Sequence, residues 1–231
     1  MCSFFLRSLT LTLSLAVVSA KPSAQLSETE FTNLQFTVQK LDAILKAYAP
    51  YKEYVPDYVW SAIDGLTDEQ KTQVVQMVND YHDGKFEPKN YEDYLAIMKK
   101  SYPAIAGTYE TMHTKYQAQV DTLGPKGQEF AKQTEAQVFA DASPDRIVWA
   151  CHIFNGAKSL ISNAKALLLD ADEADKIDAA FPEVVTFMNS KEFEAYSIVV
   201  SNLNSLDCEK DRKQIFDTIK LMDKQNVFTS N

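Results

Sequence analysis

Tyr51–Lys71 reads YKEYVPDYVWSAIDGLTDEQK. Four aromatic side chains, a proline and a fresh helix start share this short stretch. Pro56 suits the first turn of a short helix that carries Tyr58, Val59 and Ile63. Gly65 supplies its stop. Thr67 then caps the next helix, with Gln70 three residues on as the capping-box partner. Val74, Met77 (or Val78) and Tyr81 recur at helical spacing behind it. Two apolar-faced helices follow each other with no strand-like alternation between them.

The same reading extends in both directions. Upstream, Ser27 and Glu30 form a capping box, with Leu26 and Phe31 as a hydrophobic staple. Leu34, Val38, Leu41, Leu45 and Tyr48 then predict one helix over Ser27–Tyr48, ended by Pro50. Downstream, Asn90 caps a helix with Tyr94, Ile97 and Met98 facing in, and Pro103 breaks or kinks it. Ile105, Tyr109, Met112, Tyr116 and Val120 mark a long helix to Leu123. Gly124-Pro125 separates it from a helix around Phe130–Phe139. Ser143-Pro144 reads as a cap followed by proline at the first helical position. The helix it opens, near Pro144–Leu169, is apolar around most of its circumference and belongs inside the protein. Helices near Asp172–Phe181, Pro182–Asn189, Lys191–Leu206 and Glu209–Lys224 follow. The expected fold is all-α, a compact bundle of about eight to ten helices.

The first twenty residues, MCSFFLRSLTLTLSLAVVSA, read as a secretory leader cut after Ala20. Arg7 is the positive n-region and Ser8–Val18 the apolar core, shorter than the roughly 20 residues a spanning helix needs. The expected organisation is a leader at 1–20, an N-terminal helical extension at 21–50 and a helical domain at 51–231, exported from the cell. Without Arg7 the chain holds 22 basic and 32 acidic residues, a net charge of −10. That balance argues against nucleic acid and against docking on an anionic membrane through a basic patch. Cys151 and Cys208 remain after the leader, either as a disulfide or as two buried thiols.

Motifs that carry chemistry are missing. His82, His113 and His152 lie far apart, outside any zinc spacing. His82 borders a loop, and His113 is expected on a helix surface. Cys151-His152 are helix neighbours that point about 100° apart, which works against a nucleophile–base pair. There is no Gly-x-Ser-x-Gly elbow and no glycine-rich phosphate loop. Asp170–Asp175 fits a solvated first helical turn.

The order of motifs resembles the nematode fatty-acid- and retinol-binding family. Tyr51-Lys52-Glu53-Tyr54-Val55-Pro56-Asp57-Tyr58-Val59 and the Leu66-Thr67-Asp68-Glu69-Gln70 helix start are similar to that family's front end. Lys115-Tyr116 through Leu123-Gly124-Pro125 and Phe130, then Phe181-Pro182 through Glu192-Phe193, continue the likeness over Tyr51–Leu203. The Ser27–Tyr48 helix, Cys151, Cys208, Trp60 and Trp149 stand outside the pattern. So does Gln70, where the family carries an acid that completes a kinase-type site, and that site is not carried over.

The resemblance implies a wedge-like helical fold around an internal apolar cavity. It implies non-covalent binding of fatty acids and retinol, without catalysis or metal. No cofactor is expected, and transient membrane contact for ligand exchange is a further expectation. Inward positions of the central helices are the candidate lining: Tyr94, Ile97, Tyr109, Phe130, Val138, Ile147, Phe154, Ile161, Phe181, Phe187 and Phe193. Each is equally suited to plain core packing. Lys115 and Arg146 are candidates for a ligand's headgroup, although a solvated surface charge is the commoner state for either. The competing reading is a secreted helical interaction module with a fully packed core.

Overall fold

A computed structural model describes residues 27–202 and 205–224. The expected leader lies outside them. The fold is all-α, with twelve α-helices and one 3-10 segment among the described residues, more helices than the periodicity predicts. In chain order they are α1 Glu28–Thr32, α2 Val38–Tyr48, the 3-10 segment Ala49–Tyr54, α3 Asp57–Asp64, α4 Asp68–His82, α5 Tyr91–Ser101 and α6 Pro103–Val120. There follow α7 Pro125–Ala140, α8 Arg146–Leu169, α9 Ala171–Ala180, α10 Pro182–Met188, α11 Lys191–Asn202 and α12 Arg212–Lys224.

Local chemistry places most boundaries. The capping boxes at Ser27/Glu30 and Thr67/Gln70 form as written, and the Asn90 side chain accepts from the Asp93 amide at 2.9 Å. Pro103 opens α6 at its first position, directly after Tyr102 ends α5. Two starts differ from the reading. The single helix expected over Ser27–Tyr48 is interrupted at residues 33–37. Thr37 caps α2 through a bond to the Lys40 amide, and Asn79 of α4 pairs with both the amide and the carbonyl of Phe36 at 2.8 and 3.1 Å. A local cap and a distant side chain thus offer this backbone partners that a continuous helix would forgo. Helix α8 is capped by Asp145, which accepts from the Ile147 and Val148 amides, instead of by Ser143 ahead of Pro144.

The acidic run Asp170–Asp175 is only partly solvated. Asp170 caps α9, but Glu173 is buried and accepts from the Lys126 and Gly127 amides at 3.1 and 3.2 Å. It satisfies the first turn of α7, which has no side-chain cap of its own. Gly124 is required there, because a Cβ at that position would clash with the Glu173 carboxylate.

Two helices organise the core. Helix α6 packs against α3, α4, α5 and α7, and α8 against α7, α9, α11 and α12. Between them Val59, Ile63, Tyr116, Val120, Ile177 and Phe181 form a central cluster. Helices α4–α6 hold an aromatic cluster around Phe86, Met98, Tyr102 and Tyr109. Phe36, Leu41 and Ile44 seat the N-terminal extension on Val78. At one end Cys151 and Cys208 form a disulfide, with α-carbons 5.6 Å apart. Phe31, Ile147, Phe154, Ile215 and Phe216 pack around it.

Candidate functional site

Apolar side chains from four helices meet around a small interior void. Val120, Leu123, Gly127, Phe130, Ala131, Leu167, Ile177 and Phe181 line about 10 Å³ of empty space. That is room for about one water. Glu173 borders it through its bonds to the start of α7.

The eleven residues expected to line a cavity are distributed over several clusters. Phe130 and Phe181 share the void. Ile147 and Phe154 belong to the disulfide cluster, and Ile161, Phe187 and Phe193 to the α8–α11 cluster. Tyr94, Ile97 and Tyr109 sit in the α4–α6 aromatic cluster. There the Tyr94 hydroxyl meets the Met77 sulfur at 3.6 Å, and burial raises the Tyr94 pKa. Val138 is half-buried on α7. Val120, Leu123, Gly127, Ala131, Leu167 and Ile177 complete the void without having been singled out for it. They are ordinary apolar or small positions on helical faces, and only assembly distinguishes them.

The two headgroup candidates part company. Lys115 is exposed, with its ammonium 5.7 Å from the centre of the Tyr58 ring. Arg146 is 3% exposed, against the expectation of a solvated charge. It falls on the same stripe of α8 as Ala150, Phe154, Ala157 and Ile161, all buried. That spacing was the available signal, since a stripe at helical period carries whatever residue stands on it inward. The guanidinium donates from Nη2 to the Leu34 carbonyl at 2.7 Å, and its Nε and Nη1 have no hydrogen-bond partner. Burial lowers its pKa to about 10, which leaves it charged at neutral pH. The charge of Asp83 opposes that shift without a hydrogen bond to the guanidinium, and burying a charge so thinly compensated costs several kcal/mol.

The histidines surround this corner and the aromatic cluster. His82 ends α4, with Nδ1 3.0 Å from the Pro144 carbonyl and its ring against Tyr81 and Trp149. Burial, followed by the charge of Arg146, lowers its pKa to about 4. His113 is tucked in instead of lying on the helix surface, stacked on Tyr91 at 3.5 Å and 3.6 Å from Glu135. His152 reaches the Asp141 carbonyl. Among the described residues no group of three or more His, Cys, Asp or Glu side chains is placed to hold a metal ion. No described helix is long and apolar enough to cross a membrane.

The family model described as nematode fatty acid retinoid binding protein (Gp-FAR-1) matches residues 49–198, well over half of the chain. The chain belongs to this family. Neither a curated protein nor a solved structure is significantly similar to it. The part shared with the fatty acid retinoid binding family runs from the 3-10 segment to α11 and contains the void, both organising helices and Arg146. Helix α2 lies wholly outside the match, as do α1 and α12. Helices α1 and α12 meet one another through Phe31 on Phe216, ring centres 5.5 Å apart, and through Glu28 on Arg212 at 2.5 Å.

Proposed function

We propose that this protein is a secreted, non-enzymatic carrier that sequesters fatty acids and retinol among the apolar faces of its helices. Its membership of the fatty acid retinoid binding family carries the reading. Export is supported by the leader-like first twenty residues and by the Cys151–Cys208 disulfide, a bond that persists in oxidising compartments.

The void of about 10 Å³ is far smaller than an acyl chain, so the proposal includes a mechanism. The described packing is the closed form, and ligand enters by parting the helices around the central cluster to reach the faces of α8. Met112 and Met188 are half-buried there, and their unbranched, flexible side chains repack readily around guests of different shape. Each methylene removed from water contributes about 0.8 kcal/mol, so roughly fourteen of them supply on the order of 11 kcal/mol before ordering and reopening costs. Affinity near the micromolar range is the expected balance. Exchange by transient membrane contact has an apolar side chain to start from in Leu169, 87% exposed at the end of α8.

The nearly closed core also favours the competing reading, a helical interaction module with no ligand space. Titration of delipidated protein with an environment-sensitive fluorescent fatty acid, then competition by oleate and by retinol, decides between them. A saturable blue-shifted signal displaced by both supports the carrier. Folded protein that gives no signal rejects the carrier and leaves the interaction module.

A further inference from the structure

We propose that Arg146 is the seat of the ligand's carboxylate, with the acyl chain laid along the buried stripe of α8. The inference rests on the carrier reading and gives the binding interior a polar end.

Of the five N–H donors of a guanidinium, one is engaged by the Leu34 carbonyl. Nε and Nη1 together hold three N–H that point at no acceptor, in a side chain 3% exposed. The acids of the same corner are committed elsewhere. Asp145 holds Arg212 at 2.7 Å and caps α8, and Asp83 holds Lys85 at 2.8 Å. Arg212 is the contrast, since it has two carboxylates, Glu28 and Asp145, although it is less buried. Arg146 has the charge and donor fork that suit a carboxylate, and no described carboxylate hydrogen-bonds it, Asp83 acting only through space.

The surroundings suit the rest of a fatty acid. Arg146 begins a line of buried small and apolar residues through Phe154 to Ile161. The fifteen helical steps from Arg146 to Ile161 rise about 22 Å, the length class of a long acyl chain. The roof over the guanidinium is the 33–37 connector, held by the Leu34 carbonyl and by Asn79. An entering carboxylate replaces or joins one carbonyl contact and satisfies the free donors. Retinol and fatty alcohols cannot form the ion pair, so the site ranks acids above alcohols of equal length.

The chain has three arginines, Arg7 in the leader-like segment, Arg146 and Arg212. Protein secreted from the full coding sequence and labelled with 15N-arginine therefore gives few Nε–H signals, assigned with Arg212→Lys. Oleate is expected to shift the Arg146 signal and leave that of Arg212. Oleyl alcohol and millimolar acetate are expected to leave both. Arg146→Gln should weaken oleate binding roughly tenfold or more while oleyl alcohol stays within about twofold. The proposal is overturned if bound oleate leaves the Arg146 signal in place, if acetate alone shifts it as far, or if Arg146→Gln weakens acid and alcohol alike. If the variant does not fold, the labelled native protein still decides. Native protein that binds neither ligand takes down the carrier reading itself.

Discussion

His82 is held neutral beside a cation. Its pKa of about 4 lies below the ordinary 6.5, first because the ring is buried and next because Arg146 is charged. In the unfolded chain His82 takes up a proton as pH falls through 6.5, while the folded protein resists until about 4. Its contribution to stability is therefore complete above pH 6.5 and lost as pH falls to about 4. The size is at most roughly 3 kcal/mol. His82→Asn keeps a donor for the Pro144 carbonyl and cannot titrate. Urea midpoints measured from pH 7.5 to 4.5 should fall less steeply for the variant than for the native protein. Parallel curves would show that His82 is not the group that senses acid. At this scale the sequence offered residue identities without surroundings. His113 and Arg146 were both expected at the surface, because a charge or imidazole is usually solvated. Tyr91 and Glu135 enclose the first, and the inward stripe of α8 carries the second.

Caps that lie within four residues of their helix were legible. Ser27, Thr67 and Asn90 accept from their own first turns, and the pattern is written in order along the chain. Caps supplied from a distance were not. Glu173 reaches α7 across 47 residues, and Asn79 reaches the connector across 43. The second case has a direct consequence. Asn79→Ala leaves the Phe36 amide and carbonyl without their partner, at a cost of about 1–3 kcal/mol. Amide exchange should then quicken across Phe36–Tyr48 and remain slow in α6. Uniform quickening would mean that the extension opens only with the whole molecule.

The disulfide ties the turn ahead of α12, outside the family match, to the first turns of α8. The bond closes a loop of 57 residues. Cross-linking a loop of that size contributes about 4 kcal/mol on the chain-entropy estimate. Removing both thiols by Cys151→Ala and Cys208→Ala should lower stability by an amount of that order. Fatty-acid affinity should persist if the ligand lies between the family helices. A lost affinity in folded variant would show that the line through Phe154 needs the disulfide to keep its shape.

By itself the sequence determined the helical class, the order of nearly all helices and the family, because period, caps and motif order are local and read along the chain. Only the tertiary structure decided that Cys151 meets Cys208, that the N-terminal helix breaks at residues 33–37, and that the void beside Phe130 and Phe181 holds about 10 Å³. It also decided that one arginine lies buried with no carboxylate hydrogen-bonded to it. The physical reason is common to all four. Each depends on which helical faces meet, and a face records that it is apolar without recording its partner.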